Sequence, residues 1–365
     1  MIMTILFRYL LREYSKVFLM CFAALMTVYL VVDFFEKVRR FIRYDAHAVH
    51  VLTYFFFRTP AISFQIAPLA VLMATLLTLG IFSRNHEIVA MRSCGISLSR
   101  TAMPFLLFSL AVAIALFVLS ALIIPMSATR AEYVRTALIE KKLAPAAVKT
   151  TRPWIQVDPH TLMNIDTVER DGATLRGVRL YRLGPDFRLS EIIDARDAHY
   201  TAQGWMLLAG LRRVLLPDGR LMTEPFDRAP LSLSHQPEDF TSWLSVETEE
   251  RTLMDLRSRI GRLERDGYQV ARLLTDYHGR IAFPFVSIVM AIVGIALSLR
   301  HTGSRGGGMA IGIGQALLIG FLYWAAHSVA IAFGRSGVLD PMIAGWFANL
   351  MFLSFGSYLM LKISH

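Results

Sequence analysis

Apolar residues along this chain gather into six long runs, about Val17–Phe35, Ala61–Phe82, Ala102–Ile124, Ile281–Leu299, Met309–Phe333 and Met342–Leu361. Each is close to the roughly 20 residues that a helix needs to cross hydrocarbon, so six transmembrane helices are predicted. Short Arg-bearing turns separate them, except after the third run, where a polar insert of about Ala128–Tyr277 intervenes. Inside the insert the period changes. "LRGVRLYRL" and "GWMLLAGLRRVLL" read as strands, and "ERDGAT", "LGPD" and "LPDGR" supply the turns between them. Strands of this length and spacing predict an antiparallel sandwich or jelly roll rather than βαβ units. From Arg251 to Arg280 a helical period returns, with Leu253, Leu256, Ile260 and Leu263 on one stripe and charges opposite. The predicted fold class is membrane α-helical with an inserted all-β domain. Three helices (1–127) precede a β-jellyroll with a helical return (128–277), and three more helices follow (278–365).

Composition supports this class, since 55% of the residues are hydrophobic and only 18% are charged. Arg8, Arg12, Glu13 and Lys16 precede the first run and no small-residue cleavage site follows it, which predicts a retained helix rather than a removed signal peptide. A cytoplasmic N-terminus gives the short inside segments Arg8, Arg12, Lys16, Arg84, Arg92, Arg100, Arg300, Arg305 and Lys362. The short outside segments carry fewer, namely Lys37, Arg39, Arg40, Arg43 and Arg335, so both termini are placed inside and the insert outside, on the periplasmic face if the source is a bacterium. The net charge of +10 then belongs mostly to the membrane edges. Cys21 lies inside a span and Cys94 in a linker, so no disulfide framework is expected.

Three stretches carry polar features that this architecture does not explain. "DFFEKVRRFIRYD" places Lys37, Arg39, Arg40 and Arg43 on the side where positive charge is disfavoured. They are either snorkelling cations, partly neutralised by Asp33 and Glu36, or a docking patch for phosphates. "LTLGIFSRNHEIVAMRSCGISLSRTAMP" predicts a short helix of about 84–94, with Ser83 as N-cap, Gly95 as C-cap, and Ile88 and Met91 on one side. It either rests on headgroups or plugs into a separate ATPase and passes its movement to the spans; Glu87 lies near its first turn, with Arg84 and Arg92 beside it. Gly308, Gly312, Ala316 and Gly320 recur every four residues and form a small-residue packing seam, within the chain or between subunits. His327, on the same run, is read as reaching water near the outer end.

Catalytic constellations are scarce. "GSRGGGMAIGIGQ" lacks the Lys-Ser/Thr of a phosphate-binding loop, and "NHEIVA" offers no second His at helical spacing for zinc. Asp158, Asp166 and Asp194 fit turns and strand ends, while Trp154, Trp205 and Trp243 fit a core or its lip. No cofactor and no metal are expected in this chain. A membrane-anchored lipid-modifying enzyme would need convergent acids, bases or nucleophiles that the insert does not present, and a tethering subunit that moves no lipid is the other alternative.

The stretch "PLAVLMATLLTLGIFSRNHEIVAMRSCGIS", Pro68 to Ser97, resembles the second span and coupling helix of the LptF/LptG (YjgP/YjgQ) permease family, with its Glu at Glu87 and its small-Gly-hydrophobic ending at Cys94, Gly95 and Ile96. "LDPMIAGWFANLMF" resembles the last span of that family, and the likeness extends over nearly the whole chain. Between the two branches, "FFEKVRRF" is closer to the LptG pattern of an acid followed by two basic residues, and no long cationic tail of the LptF kind follows the sixth run. The resemblance implies one permease subunit of the lipopolysaccharide exporter of a Gram-negative inner membrane. Its implied partners are the paralogous permease, a cytoplasmic LptB dimer that holds the ATP and magnesium, and the periplasmic LptC and LptA. Lipopolysaccharide would enter between the first helix of one permease and the fifth of the other. Arg39 and Arg40, with Lys37 beside them, would meet its phosphates, as would Arg135 and Arg130, Glu132 standing where relatives carry another Arg. Gly308, Gly312, Ala316 and Gly320 become a candidate surface of the lateral gate.

Overall fold

The computed structural model describes residues 2–140, 147–148, 154–158, 160–169, 172–184, 186, 188–201, 204–215, 220–231, 233, 237, 252–265, 269–300 and 308–363. They form two compact units: one comprises Met1–Glu140 with Thr248–His365, the other Lys141–Glu247. Trp243 and the stretch 301–307, which holds His301 and the start of the glycine-dense loop, lie outside the described residues.

Among the described residues, the first unit is a helical bundle with six helical segments long and apolar enough to cross a membrane. Its elements are α1 (Ile2–Arg43), α2 (Ala48–Arg84), α3 (Glu87–Ser93), α4 (Leu98–Val118) and α5 (Ile124–Tyr133). After the insert come α6 (Leu253–Arg265), α7 (Ala271–Ala282), α8 (Val286–Arg300), α9 (Gly308–Arg335) and α10 (Pro341–Ile363). Two π-helical segments, Leu119–Ile123 and Val134–Ile139, join α4 and α5 into one rod and prolong it. The helical part thus runs to Ile139 rather than ending at 127. Charged Arg130, Glu132 and Arg135 end the apolar run but not the helix, because a helix leaving hydrocarbon needs no apolar residues to keep its own hydrogen bonds. The fourth span likewise begins at Ala271 rather than Ile281, through α7, a short 3₁₀ turn at Phe283–Phe285 and α8.

α2 is the central helix. Ala70, Val71, Leu72, Ala74, Leu76 and Leu79 are buried against Leu10, Tyr14 and Phe18 of α1, Phe105 of α4, and Val289, Val293 and Ile295 of α8. Close approaches rest on glycines: a Cβ at Gly345 of α10 would stand 2.9 Å from the backbone of His278 on α7. α1 and α9 differ from the rest. Only 17% of the most apolar stretch of each is buried, against 72% for α2, which leaves large side chains such as Leu19, Val28, Val32 and Phe35 of α1 and Leu317, Leu318, Phe321 and Leu322 of α9 exposed. An apolar face of that size is covered in use by lipid or by another helix.

The second unit is one antiparallel sheet. β3 (Thr161–Glu169), β4 (Thr174–Leu183), β5 (Leu189–Thr201), β6 (Gly204–Leu215) and β7 (Leu221–Leu231) pair in chain order, and the short β1 (Ala147–Val148) and β2 (Trp154–Asp158) both lie on the free side of β3. This bears out an inserted antiparallel β domain, with strand order by next neighbours among the described residues. One face is apolar, with Met163, Ile165, Leu175, Val178, Ala198, Trp205 and Leu207 buried, whereas Trp154 stays exposed.

A crease crosses this sheet. Asp166, Gly177, Arg196, Ala209 and Asp227 stand opposite one another on five successive strands, and none joins the ladder that its neighbours form. On each strand the inward side chains change parity at that line: Ile165 is followed by Val168, Leu175 by Val178, Ala195 by Ala198. Gly177 and Ala209 hold the turn with φ of 66° and 49°, and a Cβ at Gly177 would lie 2.5 Å from Oδ2 of Asp166. Gly177→Val therefore combines left-handed strain with a clash. It is expected to cost roughly 2–4 kcal/mol, read as a lowered melting temperature and faster proteolysis of residues 141–247 in the detergent-solubilised chain.

Candidate functional site

At the end of the bundle from which the chain leaves for the insert, three helices converge. Phe41 of α1, Tyr54 of α2, and Ala131, Val134 and Ile139 of the third rod pack into one small apolar cluster. The cluster brings residues about a hundred positions apart onto one rim: Lys37, Arg39, Arg40 and Arg43 from α1, Arg58 from α2, and Arg130 and Arg135 from the third rod. Their surroundings sort them. Asp33, buried at 5% exposure, accepts a hydrogen bond from Lys37 Nζ, and Arg58 Nε stands 3.6 Å from its other oxygen. Arg135 Nη2 donates to Glu132 Oε1 at 2.5 Å. Arg40 reaches Glu140 only at 4.0 Å, and Arg39 and Arg130 are exposed with no ion-pair partner among the described residues.

The rim therefore holds two kinds of cation. Lys37 and Arg135 hold carboxylates of their own chain, which orders the rim, while Arg39, Arg40 and Arg130 present guanidinium groups outward, each able to donate a paired set of hydrogen bonds to phosphate oxygens. Asp33, read from the sequence as a partial neutraliser of these cations, pairs with Lys37, whereas Arg58 was not singled out by the sequence. Arg58 falls within a run of aromatic residues, and only the α1–α2 packing sets it beside Asp33. Lys37→Gln strands most of the charge on a buried carboxylate and is expected to cost roughly 3 kcal/mol of stability, whereas Arg39→Gln costs almost nothing; melting of the two variants in detergent compares them directly.

At the opposite end of the bundle lies α3. The sequence placed Ser83 at its N-cap, but α2 continues through Ser83 to Arg84, and the chain turns instead at His86, which has a left-handed φ of 59°. The helical period of the charged linker could not show this break, because it belongs to two helices in succession. The C-terminal end is as read: Gly95, with φ 76°, donates to Arg92 O while Ile96 donates to Met91 O, which satisfies two free carbonyls. Ile88 and Met91 are buried in the main core, so the apolar side of α3 rests on its own bundle rather than on headgroups. Arg84 and Arg92 are exposed. Glu87 is held at both oxygens: Tyr9 donates to Oε2 at 3.0 Å and Asn85 to Oε1 at 3.2 Å. Tyr9, on the first turns of α1, is a second residue that the sequence did not point to.

On α9 Gly312, Ala316 and Gly320 face inward. Ala316 is fully buried, a Cβ at Gly312 would touch Leu76 and Leu77, and one at Gly320 would stand 2.5 Å from Leu69. Gly308 opens the helix. The stripe therefore serves the α2–α9 contact inside the chain, and the face that α9 leaves for another helix is the one bearing Leu317, Leu318, Phe321 and Leu322. His327 is half-buried: its ring stacks 6.0 Å from Tyr323 and lies 5.9 Å from Phe283, with Nδ1 enclosed.

A bundle with two exposed apolar spans, a basic rim at one end and a surface helix with a presented acid at the other suits a subunit that handles an amphiphile and is moved from outside itself. Comparison with known proteins agrees. The chain is 24% identical to the lipopolysaccharide export system permease protein LptF of Escherichia coli (strain K12) over 96% of its length and 93% of that protein's, and the same figures hold for LptF of Shigella flexneri. A family model described as lipopolysaccharide export system permease LptF/LptG matches residues 8–362, and on that match the chain belongs to the LptF/LptG permease family.

Proposed function

We propose that this chain is one of two paired permease subunits of an inner-membrane lipopolysaccharide exporter, with its β domain in the periplasm and both termini in the cytoplasm. Lipopolysaccharide would leave the outer leaflet sideways, between α1 of one permease and α9 of the other, and pass to the β domain and onward to LptC and LptA. ATP and magnesium would act on an LptB dimer beneath α3, with Glu87 as the contact and Arg84 and Arg92 beside it. Arg39, Arg40 and Arg130 would hold the lipid phosphates at the membrane surface while the acyl chains lie along α1.

The observation that carries this reading is the pairing of features on α1 and α9. They are the two spans the bundle leaves least covered, and α1 ends in exposed guanidinium groups. Acyl chains need the first feature and phosphates the second. Assignment to the LptG branch rests on the acid and paired basic residues of "FFEKVRRF"; the relatives compared above are LptF proteins. The test is purification from the native membrane. The reading requires that the chain bring with it an ATP-binding subunit and a second permease, and that it hydrolyse no nucleotide when isolated. Hydrolysis by the isolated chain would overturn it.

A further inference from the structure

Glu87 has one tie that reaches beyond its own corner of the fold: the hydroxyl of Tyr9, at 3.0 Å. Tyr9 sits beside Phe82 with ring centroids 5.9 Å apart and keeps 41% of its surface exposed, so the bond lies at the edge of the bundle, where an approaching protein can reach it. The corner at His86 aims Glu87 at this point, and Ile88 and Met91 pin α3 beneath.

Tyr9 also lies near the start of an unusual helix. The 42 residues of α1 include neither glycine nor proline, whereas α2 carries Pro60 and Pro68. At 1.5 Å per residue, α1 is about 63 Å long with none of the usual kink sites. It is anchored unevenly. Leu10, Tyr14, Phe18 and Cys21 are buried near its start and Asp33 and Phe41 near its end, but the residues between Phe22 and Val32 include none that is fully buried. No glycine or proline offers a hinge between Tyr9 and the exposed Arg39 and Arg40.

We propose that Tyr9 is a positioning residue that fastens the Glu87 carboxylate to the start of α1, so that an ATPase drawing Glu87 toward its own cation swings α1 and moves the phosphate-holding rim at the far end. This rests on the reading of α3 as the ATPase contact. Glu87 is the group that meets the partner; Tyr9 acts through it.

The test uses Tyr9→Phe, which keeps the ring against Phe82 and removes only the hydroxyl, together with Glu87→Gln and the double variant, each in the full complex reconstituted in nanodiscs. Lipopolysaccharide-stimulated ATP hydrolysis is expected to fall about tenfold in Tyr9→Phe with the ATPase still bound in full amount, and the double variant is expected to match Glu87→Gln alone. Unchanged stimulation in Tyr9→Phe, or losses that multiply in the double variant, would overturn the proposal. Hydrogen exchange on the isolated chain supplies an arm that needs no partner: the amides of Glu87–Ser93 are expected to exchange several-fold faster in Tyr9→Phe, and unaltered exchange counts against the tie. A wild-type chain that recruits no ATPase would refute the functional reading, and the exchange arm alone would then decide whether Tyr9 holds Glu87.

Discussion

Reversing both Arg39 and Arg40 to Glu is expected to lower capture of lipopolysaccharide by roughly two orders of magnitude or more, since each guanidinium–phosphate contact contributes about 1.5–3 kcal/mol and two acids in their place repel the phosphates. The fold should survive, because both side chains are exposed and Arg40 stands as far as 4.0 Å from Glu140. Melting temperature and assembly serve as the internal control. A variant that melts normally and still extracts labelled lipid at the wild-type rate would reduce these residues to cations resting at the membrane surface. The contrast with Lys37 sharpens the result. Its loss is expected to register in stability first, because it partners a buried Asp33, whereas loss of Arg39 and Arg40 should register in lipid capture alone.

Glu87→Ala is expected to weaken the hold of the ATPase by at least tenfold, and to reduce lipid-stimulated hydrolysis in step, with little change in the stability of the chain itself. Truncating one partner of a hydrogen-bonded charge pair at an interface costs about 2–5 kcal/mol, much of it from the charge left without its counterpart. Within the chain the substitution merely frees the Tyr9 hydroxyl and the Asn85 amide at exposed positions, where water replaces the carboxylate. Co-purification of the ATPase with the variant, followed by hydrolysis with and without lipopolysaccharide, measures both effects. Undiminished recovery and undiminished stimulation would remove α3 from the mechanism.

The membrane architecture was legible in the sequence because hydrocarbon imposes a length and a composition on every span, and hydropathy reads both directly. The strands were legible for a similar reason, as Asp-Gly and Pro-Asp-Gly turns punctuate period-two runs. What escaped depended on partners far apart in the chain. Nothing in "TYFFFRTPA" shows that Arg58 will meet Asp33, and nothing near Tyr9 shows that its hydroxyl will find Glu87. Element ends escaped for another reason. A charged residue marks where hydrocarbon stops, yet a helix continues into water, as the third span does through Arg130 and Arg135 to Ile139. The small-residue stripe of α9 was visible, but its partner was not, and the structure gives that partner as α2 of the same chain.

α1 and α9, the two spans with the least covered apolar stretches, present faces that lipid or another helix covers in use. The crease across the β sheet belongs to the same chain but to a separate unit, and it fixes the shape of an apolar face on which Trp205 and Leu207 are already buried.

The most direct measurement of the central claim is site-specific photo-crosslinking in intact membranes, with the photoreactive group placed at Phe35 on α1 or Phe321 on α9, both exposed. The account requires lipopolysaccharide adducts at both positions, abolished or redistributed when the partner ATPase is disabled by mutation. Adducts to phospholipid alone, or lipopolysaccharide adducts indifferent to ATP hydrolysis, would contradict it.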